Sequence, residues 1–263
     1  MNAALPGSIR EINELPEAEK RSIYQQLIPP WAFEQLGLDR ELLASENPLL
    51  LIRCPRGSRA VEISIKKRLR EIDPSLYLDM IDTVNNQLMV LMVIINDVDA
   101  PRFHVDIDQQ GNNTQFGTRG RNIPEELRAM AAGLAPGQVR RGLRTFKAAV
   151  PIFEDFVQRM GHELFLIEPL FYHNAITFER YGFAYLFGRR EMEQIHQGFL
   201  PGGEYHARLL EGGSPFRKPE LALSVRGRSW AIHDGILGYP FTGFQMYKRI
   251  GVHSGVNTFP DRF

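Results

Sequence analysis

An imidazole and two carboxylates stand at alternate positions in His104-Val-Asp106-Ile-Asp108. In an extended strand such residues share one face, about 6.5–7 Å apart. Asp106 or Asp108 could then act as a general base and take a proton from an amine. His104 and Asp106 could instead converge on one ion, as in the two-histidine, one-carboxylate centres of metal-dependent oxygenases or hydrolases. That reading needs a distant histidine, and His162, His173, His196, His206 and His233 are available. A third reading leaves a polar sheet face hydrogen-bonded to the loop at 109–118. His233 and Asp234 are adjacent, which on a strand would turn them to opposite faces. Cys54 lies between Arg53 and Arg56, cations that lower a thiol pKa, although a buried strand-end cysteine is the plainer reading. The sequence has no Gly-x-Ser-x-Gly elbow, no Walker loop and no Gly-x-Gly-x-x-Gly after a strand.

Charge marks a second candidate. The chain carries 31 Lys+Arg against 31 Asp+Glu, so a globally basic nucleic-acid binder is not expected. The balance is uneven along the chain. Asp73 to Asp108 holds seven aspartates and Arg102, a net of −6, whereas Arg119 to Lys147 nets +5. A helix starting near Gln138 would place its unpaired N–H groups and dipole beside Arg140, Arg141 and Arg144, a set that could hold a phosphate. The alternative is a solvated basic face pairing with the acidic strands.

The elements that would position these groups follow from patterning. Leu15-Pro16-Glu17 reads as a helix start, Ile23, Leu27 and Ile28 as its apolar stripe, and Pro29-Pro30 as its end. Asp39 is a candidate N-cap for Arg40 to Ser45, broken at Asn47-Pro48. Leu49 to Arg53 reads as a short strand, and Val61, Ile63 and Ile65 alternate with polar residues. From Leu76 to Asp108 we expect a three-strand antiparallel meander. Its strands carry Leu76, Leu78 and Met80, then the apolar run 87–95, then Phe103, Val105 and Ile107, with a turn at Asn85-Asn86. The run 87–95 is apolar on both faces, as in a buried central strand.

Further on, Asn122 should cap a helix from Pro124 to about Ala132, stopped by Gly133. Val139, Leu143, Phe146, Val150, Phe153, Val157 and Met160 step by four and three, an amphipathic helix that Pro151 should kink. Glu163 to Phe171 and Phe183 to Phe187 read as strands around a short helix at Asn174 to Tyr181. After Gly198 glycine, proline and aromatics rise and periodicity fades.

Over about residues 76–187 this order resembles the GCN5-related N-acetyltransferases, the acyl-CoA N-acyltransferase fold. The piece similar to their pyrophosphate loop is Leu134-Ala-Pro136-Gly-Gln-Val-Arg140-Arg141-Gly142-Leu-Arg144. Val139 stands where Arg or Gln is usual, and Arg144 where the last Gly is usual. A second similar piece is Phe178-Glu179-Arg180-Tyr181-Gly182-Phe183, with Phe178 replacing the usual acid tyrosine. The resemblance implies that backbone amides around Val139, Arg140, Arg141, Gly142, Leu143 and Arg144 hold the pyrophosphate of acetyl-CoA or another acyl-CoA. It implies a carboxylate base, Asp106 or Asp108, and a proton donor to the thiolate, Tyr181 or Tyr172. With those departures it also suits a member whose activity is lost.

The 263 residues, with 43% hydrophobic and 24% charged, suit a globular body. We expect an α/β (α+β) fold with a mixed, mostly antiparallel central sheet flanked by helices. It would form one domain over 1–197, helical at 1–46, with an irregular extension at 198–263 packed on it. One cysteine rules out an intrachain disulfide. The longest apolar run, Leu88 to Ile95, is far short of the roughly 20 residues of a membrane helix. A cytoplasmic location, a small-molecule substrate and neither nucleic-acid nor membrane partners are the corresponding expectations. Seventeen phenylalanines with an aromatic tail also suit a non-catalytic homodimer.

Overall fold

The computed structural model describes residues 4–36 and 48–260. The helix expected at Arg40 to Ser45, its cap Asp39 and Asn47 lie outside the described residues.

Alternation builds the first half of the sheet. In β2 (Ala60–Ile65) and β3 (Leu76–Asp82) every second residue is buried, and the two pair antiparallel from Ala60↔Ile81 to Ile65↔Leu76. β1 (Leu50–Arg53) adds to β2, and β4 (Leu88–Ile95) to β3. The β3–β4 turn is where the sequence places it, with Asn86 at φ +58° and the Thr83 hydroxyl accepting from the Gln87 N–H. Asparagine tolerates that left-handed backbone. β5 (Leu164–Ile167), β6 (Ala184–Phe187) and β7 (Gln245–Arg249) complete a seven-stranded sheet in the order β1-β2-β3-β4-β5-β7-β6. β4 and β5 run parallel. The protein is therefore α+β, with a mixed, mostly antiparallel sheet flanked by helices, as the patterning indicated.

The third meander strand is corrected. Residues 103–108 form no ladder beyond a single bridge between Ile107 and Asn113. Their alternation reflects burial all the same: Phe103 and Val105 pack with Ala129, Leu134, Phe216 and Trp230. Local groups take the backbone bonds a neighbouring strand would have taken. Glu125 accepts from the His104 N–H, Val139 O from the Phe103 N–H, and the Asn122 amide donates to His104 O and Ile107 O. Asn122 thus precedes α4 (Ile123–Ala131) but spends its side chain on that loop instead of capping the helix.

The long helix is also corrected. It is α5 (Phe146–Arg159), and it starts eight residues later than the expected start near Gln138. Gly142 instead bridges Asn96 in antiparallel fashion, and Arg144 has φ +57°. Pro151 lies inside α5 without breaking it. It is exposed, so the helix carbonyl left without its N–H donor lies towards solvent.

Segment 198–263 is more regular than its composition suggests. It holds the end of α7 (Arg189–Phe199), then α8 (Glu204–Glu211), a 3-10 turn (Pro219–Leu221), α9 (Val225–His233) and β7. Residues Gly227 to Ile232 of α9 are all buried, and a helix buried all round shows no stripe to detect. A Cβ on Gly227 would sit 2.4 Å from Leu221 O, so glycine admits the 3-10 turn.

The chain divides into two interleaved compact units: Met1–Ala100, Gly142–Glu168 and Tyr247–Val252 in the first; Pro101–Arg141, Pro169–Met246 and His253–Phe263 in the second. In the first, α1 (Ile9–Glu14) packs against α2 (Glu17–Gln25) and one sheet face. Ser8 caps α1, and buried Asp82 accepts from the Ile9 and Arg10 N–H groups. α3 (Pro30–Leu36) follows. In the second, α6 (Tyr172–Arg180) packs against α9 and α7 against α8.

Candidate active site

β4 is paired unequally along its length. On one side it keeps β3 throughout, from Asp82↔Leu88 to Leu76↔Ile95. On the other, β5 matches it only at Met89↔Leu166 and Val90↔Ile167. Gly142 then bridges Asn96 at the far end. Between these limits Leu91 to Ile95 have no strand partner on that edge among the described residues. The register shifts opposite Asp79/Met80, a bulge in β4 at Leu91, and bulges re-aim strands. Leu91 is 38% exposed, and Met92 to Ile95 are only half-buried, against the full burial expected of this apolar run.

Alternation of the ladder says which groups face this window. The Asn96 N–H donates to Ser75 O on the β3 side. Neighbouring residues turn the other way, so the Val93 backbone groups point across the unpaired edge, while Ile95 faces the Gly142 segment. Gly142 closes the window tightly: a Cβ there would lie 3.0 Å from Ile95 O. That close approach, in place of the expected approach to a pyrophosphate, explains the glycine.

Beside the bulge lies a carboxylate pair that the sequence reading missed. Glu62 and Asp79 are directly opposed across β2 and β3, and Asp79 is opposed to Met92. Burial, then the neighbouring Glu62 charge, raises the Asp79 carboxyl above its ordinary pKa. Tyr77, two residues earlier on the same face, is raised by burial and then by Glu62 and Asp79. Arg53 meets Glu62 at 3.2 Å. The result is a carboxylate of increased basicity and a neutral phenol on one half-open face. The signal was present in the period-two pattern, because Glu62, Tyr77 and Asp79 are the polar alternates of two recognised strands.

α5 begins in this same unit. Its first turn carries no acidic residue and no side-chain cap. Arg144 and Lys147, both exposed, flank it. This is the helix start for which the basic loop was singled out, moved from Val139–Leu143 to Phe146. Of the predicted loop residues, Gly142, Leu143 and Arg144 lie in the first unit and lead into it. Val139, Arg140 and Arg141 lie in the second, and Val139 packs on its apolar core.

The predicted catalytic residues all lie in the second unit, where the two aspartates are engaged otherwise. Arg102 holds Asp106 at 2.6 Å and meets His104 Nδ1 at 2.8 Å, so a guanidinium stands where an ion was envisaged. Asp108 accepts from the Asn112 and Gln110 N–H groups. The Asn112 N–H, above all, holds its carboxyl below the ordinary range, the wrong direction for a base. Tyr181 terminates α6, its N–H donating to Phe178 O. Tyr172 is buried. No group of three His, Cys, Asp or Glu suited to a metal occurs among the described residues. The Cys54 thiol is buried, and burial pushes its pKa up despite nearby Lys20 and Arg21.

His233 and Asp234, at the end of α9, join a different network. Arg121 donates to Glu126 and Asp234, each at 2.9 Å; Arg217 donates to Asp234 at 2.9 Å; His233 lies 3.4 Å from Glu126. Burial raises the Glu126 carboxyl, but His233 and Arg121 outweigh it and hold the pKa below the ordinary value.

Comparison with protein-family models, with curated proteins and with solved structures finds no match to this chain. Among the described residues no helix is long and apolar enough to cross a membrane.

Proposed function

We propose that this chain is an acyltransferase of the GCN5-related kind, moving an acyl group from an acyl-CoA to an amine. The observation that carries this reading is the unpaired edge of β4 between Val90 and Asn96, beside the sheet's parallel β4–β5 pair. Such an edge suits an extended chain bearing amides, because one strand-like partner satisfies its exposed N–H and C=O groups. The arm of CoA is such a chain. Its phosphates would lie towards the α5 start, where Arg144, Lys147 and the helix dipole favour negative charge.

The acid and base in this reading are Asp79 and Tyr77, in place of Asp106, Asp108 and Tyr181. Asp79 takes a proton from the acceptor ammonium, and the freed amine attacks the thioester carbon. The new C–N bond forms as the C–S bond breaks. The Tyr77 phenol gives a proton to the departing thiolate and the phenolate takes the second proton from the acylated nitrogen, so the phenol is restored and Asp79 passes its proton to solvent. A raised carboxyl pKa makes Asp79 the better base.

The test is calorimetric and kinetic. Millimolar acetyl-CoA or CoA should raise the melting temperature by mass action. The double variant Arg144→Glu/Lys147→Glu should lose most of that rise. Asp79→Asn should lower kcat by about 100-fold or more with donor binding kept. Absence of any CoA-dependent shift in the unaltered protein sinks the proposal.

A further inference from the structure

β6 is the last strand of the sheet, with β7 as its one neighbour. Towards its outer edge the Ala184 to Phe187 backbone makes no hydrogen bond to another segment among the described residues. The segment after β7 stops short of it: the Ser254 N–H donates to Gly182 O, and the Ser254 hydroxyl to Phe183 O at 2.7 Å. Proteins guard a free edge with a lysine, a proline, a bulge or an inward charge, because it otherwise templates pairing with another chain. Ala184-Tyr-Leu-Phe187 carries neither charge nor proline.

The side chains agree. Leu186 is 48% exposed and Phe187 61%. Adjacent strand residues turn to opposite faces, so the strand end is open on both. The apolar surface continues past it. Phe244 packs on Gly188, where a Cβ would lie 2.3 Å from the ring, and Phe241 stacks on Phe244 with centroids 4.1 Å apart. All these residues belong to the second unit.

We propose that the outer edge of β6 pairs with the same edge of a second copy of the chain. The strand is complementary to itself. A two-fold axis normal to the sheet makes the pairing antiparallel and keeps every side chain on its own face, so opposed residues are an even number of positions apart. Centred on Leu186, this register sets Leu186 against its own copy and Phe187 against Tyr185 in both directions. Aromatic and aliphatic cross-strand pairs are favourable, and no charged residue is opposed to another. The apolar area covered is on the order of a few hundred Å² per copy, below the roughly 800 Å² of a standard interface, so the dimer is weak and reversible. It stands or falls apart from the acyl-transfer reading.

Sedimentation equilibrium of the full chain, from low micromolar to submillimolar concentration, should show monomer and dimer in exchange. Leu186→Lys puts a charge at an exposed position; it should keep the melting temperature of the dilute protein and weaken the dimer by about tenfold or more. Leu186→Cys, in a Cys54→Ala background, should form an intermolecular disulfide on mild oxidation, because the register brings the two thiols face to face. Val84→Cys, 92% exposed at the β3–β4 turn, is the control and should form none. A monomer at every concentration, which leaves the edge to a foreign strand or to solvent, overturns the proposal. So does a dimer that Leu186→Lys leaves intact or that Leu186→Cys does not cross-link.

Discussion

Asp79 and Glu126 are both carboxylates withdrawn from solvent, and their pKa values move in opposite directions. Burial raises both. On the first unit's sheet Asp79 faces another carboxylate, Glu62, and no cation outweighs the cost. In the second unit Glu126 meets Arg121 and His233, which reverse the sign. Desolvation alone therefore does not set the charge state; the partner does. The first arrangement leaves a carboxyl of raised proton affinity, and the second spends its carboxylates on holding α4, α9 and the Arg217 segment together.

The largest test breaks the second arrangement. Arg121→Leu leaves Glu126 and Asp234 short of a buried cation and should cost about 3 kcal/mol or more in chemical denaturation. It should also alter the acid limb of the stability profile. Glu126 is depressed from its ordinary 4.5, so its contribution is complete above that pH and is lost as pH falls through the lower folded value. In Arg121→Leu that loss should shrink.

Gly142→Ala acts on the first unit. Its Cβ would meet Ile95 O at 3.0 Å, so the loop or the β4 end must shift. We expect about 1–2 kcal/mol of destabilisation and weaker CoA binding, read by thermal shift and titration. Ser8→Ala removes the cap that accepts from the Glu11 N–H and should cost about 1 kcal/mol, leaving CoA binding unchanged.

Asp79→Asn gives the smallest effect on stability and the opposite sign. A carboxyl raised above its ordinary value carries its charge against the preference of its site. Its contribution to stability is lost as pH rises through the folded pKa. The asparagine variant should be as stable as the parent at pH 7 or slightly more so, while the proposed acyl transfer should fall. If stability instead drops together with activity, Asp79 is structural and the contrast with Glu126 fails.

Much of the sheet was legible because burial on one face imposes period two. β2, β3, the Asn85-Asn86 turn and the short elements from β5 to β6 could be read that way. The same rule misled at Phe103, Val105 and Ile107, where one-sided burial arises against side chains of another layer without a ladder. The stripe from Val139 ran on too early for a similar reason. Apolar spacing reports which side is buried, and it does not report whether Gly142 continues a helix or bridges a strand. α9 was invisible because a helix enclosed on all sides has no polar face.

The amino-acid sequence by itself determined the fold class, the antiparallel half of the sheet and the basic stretch that leads into α5. Local patterning suffices for these, since each depends on neighbours within a few residues or on alternation along one strand. Only the tertiary structure decided that β5 leaves β4 after two pairs, that Glu62 stands opposite Asp79, and that Arg102 and Asn112 occupy the aspartates first suspected of catalysis. Register and partner choice are long-range properties. They are set by how whole elements pack, and the proton affinity of a carboxylate follows from that packing.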